Sequence, residues 1–196
     1  MIAVRVTLIA TAATRNQRRT EFPGDAPLDA AGERLARQSA MRLQGCERVL
    51  IGPTVAARQT AEALGLTGTV APALADCDYG RWAGGSFEAI AAAEPAAIAA
   101  WLADDMAAPH GGESHLELKA RVGAFLDHVG ATLTGHTIVV APPAVIRAAI
   151  VHAIAGTPQS FWRIDIAPLS RTMLTRSNDQ WRLRAVTPIG VQEVEP

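Results

Sequence analysis

The chain has 196 residues, 49% of them hydrophobic and 19% charged, with a formal net charge of −1. That balance suits one globular domain with a sizeable core and excludes a disordered chain. It also excludes the basic surface that nucleic-acid binding needs: the densest cationic run is Arg15, Arg18 and Arg19, which reads as a solvated loop. Cys46 and Cys77 lack the CxxC spacing of a zinc site and read as buried free thiols. The apolar run at the N-terminus carries one early arginine and reads as a buried strand, not as a signal peptide. No stretch reaches membrane-spanning length, and the expected location is the cytoplasm.

The first predicted element is a strand over Val4 to Ile9, a β-branched run of the kind buried on both faces. Leu28 to Leu43 carries apolar residues at helical spacing, with Asp29 placed to cap it and Gly45 after it. A short strand over Arg48 to Ile51 precedes a helix over Thr54 to Leu64 that Gly65 ends, and Thr67 to Ala71 reads as a third strand. From Asp78 to Gly112 the chain turns rich in Ala, Gly and Trp, with helical patterns near Phe87–Ala93 and Pro95–Ala103. A long amphipathic helix over Ser114 to Leu133 follows, its stripe marked by Leu118, Val122, Phe125, Leu126, Val129 and Leu133. Thr137 to Val140 is another parallel-type strand, Pro142-Pro143 starts a helix over Ala144 to Ile154, and Thr172–Arg176 with Gln180–Val186 form a hairpin.

Strands alternating with helices predict an α/β fold, a three-layer α/β/α sandwich around a mostly parallel sheet. The prediction is one domain over 1–196, with a helical cap inserted at about 78–112. Ligands in such folds bind beyond the carboxyl ends of the strands, which points to the loops after Ile9 and Val140.

Five segments, in order, carry a family resemblance. They are Val6 to Leu28 (VTLIATAATRNQRRTEFPGDAPL) with Gly32, then Ala57-Arg58-Gln59-Thr60-Ala61, then Leu74 to Gly84 (LADCDYGRWAG), then Gly111-Gly112-Glu113-Ser114, then Val139 to Ala148. Together they resemble the histidine phosphatase (phosphoglycerate mutase-like) superfamily. Its hallmarks are Leu-x-Arg-His-Gly-x-Thr, Arg-Ala-x-Gln-Thr-Ala, Leu-x-Glu-x-x-x-Gly-x-Trp-x-Gly, Gly-Gly-Glu-Ser and Val-Ser-His-Gly-x-x-Ile-Arg-Ala. The resemblance implies a phosphoryl-transfer site in which one histidine attacks phosphorus, a second histidine and two arginines hold the oxygens, and an acid protonates the leaving group.

Those positions fall here on other residues. The first arginine position holds Ala10, the nucleophile position Thr11, the second arginine position Ala56 and the second histidine position Pro142. Only the acid position is filled, by Asp76, which reads either as that acid or as the cap of a turn in Asp-Cys-Asp-Tyr-Gly. Thr11 has no adjacent base in the matching loops to make its hydroxyl nucleophilic. The expected pocket positions are thus Ala10, Thr11, Ala56, Asp76, Trp82 and Pro142, with no cofactor, no metal and no expected catalytic residue beyond Asp76. Trp82 is included as the aromatic whose loop is expected to line the cleft, whereas Phe87, Trp101, Phe161 and Trp162 read as core.

The expected function is that of a catalytically impaired member that binds a small molecule or a protein, with no nucleic acid and no membrane as partner; the resemblance also allows a homodimer. The alternative is an enzyme with a repurposed site, using Asp76 with His110, His115 or Glu113, in which a metal could also sit. Arg15, Arg58 and Arg147 are candidates for an anion or for pairing with surface carboxylates, and His128, His136 and His152 read as helix-face or turn residues.

Overall fold

The computed structural model describes residues 4–40 and 46–189. Its strands are β1 (Val4–Ala10), β2 (Arg48–Ile51), β3 (Thr69–Val70), β4 (His136–Ala141), β5 (Ser170–Ser177) and β6 (Gln180–Pro188). They form one sheet of order β3-β2-β4-β1-β5-β6, in which β5 alone runs against the others. The helices are α1 (Arg15–Arg18), α2 (Ala30–Gln38), α3 (Val55–Ala63), α4 (Phe87–Ala93), α5 (Pro95–Ala103), α6 (His115–Thr132) and α7 (Pro143–Ala153).

The two-residue alternation of β1 and β4 divides the core between two helical layers. Val4, Val6, Leu8 and Ala10, with Val139 and Ala141, pack against α6 and α7. Ile9, Ile138 and Val140, with Ile51, face Ala57, Ala61 and Leu64 of α3. This is the three-layer arrangement the strand–helix alternation predicts.

Local sequence explains the ends of the elements. Asp29 caps α2 by accepting from the Gly32 N–H, and Thr54 caps α3 at the Ala57 N–H. Ser114 and Glu117 form a reciprocal capping box on α6. Asn178 and Asp179, both at positive φ, make the two-residue turn between β5 and β6.

Some expectations need correction. Helix α2 ends at Gln38 with Ser39 as its C-cap, and its expected residues Leu43 and Gly45 lie outside the described residues. Leu35, placed on its apolar stripe, is exposed, and Gly32 and Ala36 are the residues it buries. The third strand has shrunk to Thr69–Val70 because only those residues pair with β2. Cys46 is half-buried, Cys77 is buried, and both are free. Arg15 and Arg18 belong to a helical turn capped by Thr14, although all three arginines of that run are exposed as expected. No helix among the described residues is long and apolar enough to cross a membrane.

Candidate functional site

The register of the sheet brings the two predicted loops together. Ala10 lies opposite Ala141, so Thr11 and Pro142 leave β1 and β4 side by side, and the Thr11 N–H donates to the Ala141 carbonyl at 3.1 Å. The Gly52 N–H donates to the Val140 carbonyl at 2.8 Å and carries the start of α3 to the same place. The buried Thr60 hydroxyl then ties the loop down: it donates to the Ala56 carbonyl at 2.7 Å and accepts the Ala12 N–H at 3.0 Å. Gln59 accepts the Leu28 N–H at 2.8 Å, and a Cβ at Gly32 would collide with the Ala13 backbone.

A second anchor fixes the Asp76 segment. The Arg121 guanidinium donates to the carbonyls of Ala73, Ala75 and Asp76 at 2.8, 3.0 and 3.3 Å. It also grips both oxygens of Glu113, at 2.8 and 2.7 Å. Gly80 adopts a φ of +47°, where a Cβ would strike the His110 carbonyl. The turn-capping role expected of Asp76 belongs to Asp78, whose Oδ1 accepts the Gly80 N–H at 2.8 Å. Sequence reasoning missed Arg121; the signal available was its position on the helix that the Gly-Gly-Glu-Ser segment starts.

Between these loops and the α4–α5 cap lies an open cleft of about 730 Å³. Thr11, Ala56, Asp76, Pro142, Pro143 and Ala144 line it from the sheet side. Tyr79, Phe87, Trp101, Leu102, Phe161 and Trp162 form an apolar wall. Sequence reasoning placed Phe87, Trp101, Phe161 and Trp162 in the core; Trp101 and Phe161 are buried, whereas Phe87 is half-buried. Their rings still border the cleft, and Trp162 is 39% exposed.

Two expected pocket residues do not line the cleft. Ala10 continues the alternation of Val6 and Leu8 and is fully buried in the core. Trp82 is also core, packed 5.2 Å from Phe22 and 5.0 Å from His110 between ring centroids.

The grouping of Asp76 with His110, His115 and Glu113 does not form. The His115 ring is inserted among Trp101, Phe161 and Trp162, with centroids 5.0, 4.8 and 4.8 Å away, and burial depresses its pKa to about 4. His110 is buried, its Nδ1 accepts the Gly112 N–H at 3.0 Å, and burial lowers its pKa too. Glu113 is held by Arg121. None of the three lines the cleft, and among the described residues no three His, Cys, Asp or Glu gather to hold a metal. His136 begins β4 with its Nε2 2.9 Å from the Thr7 hydroxyl, His152 pairs with Asp127, and His128 is exposed.

Asp76 is the titratable group of interest. Burial pushes its carboxyl up to about 6, opposed in part by the Cys77 N–H that its Oδ1 accepts at 2.9 Å and by Arg121, while Glu113 raises it further. Its Oδ2 accepts no hydrogen bond from any described residue. Arg147 stands on the wall: its guanidinium lies 5.7 Å from the Phe161 ring centroid, its Nη2 lies 3.9 Å from the exposed Asp165, and its buried Nε has no partner among the described residues. Arg18 borders the cleft but is bound to Asp29. Arg15 and Arg58 are exposed and lie outside the lining.

Solved structures share this architecture. A mycobacterial glucosyl-3-phosphoglycerate phosphatase in complex with VO3 aligns with a TM-score of 0.81 and 24% identity, over 95% of this chain and 99% of its own. The α-ribazole phosphatase of Shigella flexneri aligns at 0.84 with 20% identity, over 96% of this chain and 100% of its own. The phosphoserine phosphatase of Entamoeba histolytica in complex with 3-phosphoglyceric acid aligns at 0.84 with 15% identity, over 95% and 98%. At such identities the likeness speaks for the fold. No curated protein matches the sequence. The sequence profile of the histidine phosphatase superfamily, branch 1, matches residues 10–188, and the chain therefore belongs to that superfamily.

Proposed function

We propose that this protein does not hydrolyse phosphate esters and instead binds a small molecule in the cleft. The observation that carries the reading is the lining on the sheet side. Thr11, Ala56, Pro142 and Asp76 stand where the resemblance puts the nucleophilic histidine, an arginine, the second histidine and the acid. Among the described residues no histidine or lysine borders the cleft. On the sheet side a phosphoryl group would meet the Asp76 carboxylate and alkyl surface, and on the wall the single guanidinium of Arg147 in place of a converging set of donors. One lost donor of that kind costs about 10²–10³ in rate, and losses at several positions remove useful turnover.

The motif positions that keep their residues support the same reading, because each has a structural task. Gln59 and Thr60 hold the loop after β1, Gly32 admits its backbone, Gly80 takes the left-handed turn, Glu113 holds Arg121 and Ser114 caps α6. The scaffold is retained while the phosphate-handling groups are replaced, and the cleft stays open.

Steady-state hydrolysis of p-nitrophenyl phosphate, measured beside Thr11→Ala, tests this. The expected result is no turnover that depends on Thr11. A rate that Thr11→Ala abolishes, or an acid-labile phosphohistidine trapped from the protein, overturns the proposal.

A further inference from the structure

We infer that the cleft selects a ligand that joins an ammonium or similar cationic group to an apolar body, with the cation on Asp76 and the body along the wall of Tyr79, Phe87 and Trp101. This rests on the reading of the cleft as a binding site and names the chemistry of what it takes.

The polarity of the cleft carries the inference. On the sheet side Thr11, Ala56 and Pro142 line the cleft together with one ionisable group among the described residues, and that group is an acid, Asp76. The charges acting on Asp76 are Arg121 and Glu113, which oppose each other and are paired with one another at 2.7 Å. Its Oδ1 is occupied by the Cys77 N–H and its Oδ2 is left for a donor. The rim carries the carboxylates Glu21, Asp25 and Asp165, of which Glu21 lies 3.9 Å from Arg19 and Asp165 3.9 Å from Arg147, while the cation Arg18 is bound to Asp29.

The wall fits the same ligand. Trp101 contacts the Trp162 ring at 4.8 Å between centroids, and Tyr79 and Phe87 both pack on Phe22, at 5.5 and 5.8 Å. Their order is set by packing before any ligand arrives, so apolar surface is offered without an ordering cost. Ring faces also attract a desolvated cation. An anionic head finds only Arg147 on the wall, where Asp165 already competes for it.

The test uses three probes with one body: 4-phenylbutylamine, 4-phenylbutanol and 4-phenylbutyrate, titrated calorimetrically into the full chain at pH 7.5. The amine is expected to bind at least tenfold more tightly than the alcohol and the acid. Asp76→Asn should erase that preference while leaving the weaker binding of the alcohol. Ala56→Arg, which sets a cation beside Asp76, should reverse the order in favour of the acid. At pH 5 the amine should lose about tenfold in affinity as Asp76, faced by Cys77, Tyr79, Glu113 and Arg121, takes up a proton. Equal affinities, no measurable binding of the amine, or tightest binding by 4-phenylbutyrate with loss in Arg147→Met overturns this inference. Those outcomes leave the wider reading of a non-hydrolytic protein standing. That reading fails instead if p-nitrophenyl phosphate is turned over at a rate that Thr11→Ala abolishes.

Discussion

Asp76→Asn should make the protein more stable, and the gain should grow with pH. The carboxyl is carried from its ordinary 3.8 to about 6 by burial, so its ionised form is less favourable in the folded protein than in the unfolded chain. A shift of that size corresponds to roughly 3 kcal/mol at neutral pH, and water entering the open cleft lowers the realised value to about 1–3 kcal/mol. The sign follows from the order of the two pKa values. Between 3.8 and about 6 the folded state holds a proton that the unfolded state has released, so the wild-type protein loses stability as pH rises through that window. Asparagine keeps the acceptor for the Cys77 N–H and carries no charge. The gain of the variant should therefore be full above pH 6 and fall to about a third of that at pH 4.5. Urea unfolding of both proteins from pH 4.5 to 8 measures it. A variant less stable at pH 7, or a gain that does not change with pH, would refute the reasoning.

Thr60→Val removes a buried hydroxyl without changing shape and orphans the Ala12 N–H; it should cost about 2 kcal/mol and lower Tm by about 4–8 °C in calorimetry. Gly80→Ala puts a Cβ into the His110 carbonyl at a positive φ and should cost at least about 2 kcal/mol in denaturant unfolding, with less folded protein recovered. Arg121→Met leaves Glu113 unpaired and frees three carbonyls around Asp76, for a loss of about 2–4 kcal/mol by the same measurement. The His115 imidazole should stay neutral down to about pH 5 by NMR, because burial holds its pKa near 4. The unfolded chain takes up that proton near pH 6.5, so this part of the stability is full above 6.5, declines as pH falls toward 4, and disappears from the pH profile of His115→Phe.

The fold was readable because its signals are local and repeated. The β-branched run of β1, the caps Asp29, Thr54 and Ser114, and the Asn178-Asp179 turn each state an element's type or end in a few residues. Thr11, Ala56, Asp76 and Pro142 could be singled out because motif spacing anchors them, and the sheet register brings their loops to one cleft. What failed was side-chain direction. Ala10 sits one residue from Thr11, and the two-residue period of a strand turns it into the core. Trp82 and His110 are adjacent to the site in sequence terms, yet burial in a shared aromatic cluster gains more than exposure to the cleft. The wall of Tyr79, Phe87 and Trp101 was invisible for the converse reason: a ring whose back is core and whose edge borders a cavity has the same sequence signature as one wholly enclosed.

The most direct test of the account is calorimetric titration of the protein with orthovanadate, which mimics the phosphoryl transition state. No saturable binding is expected at millimolar vanadate, because Thr11, Ala56 and Pro142 offer no cation to an oxyanion beside Asp76. Saturable binding that Thr11→Ala or Pro142→Ala weakens would contradict it and return the cleft to phosphoryl chemistry.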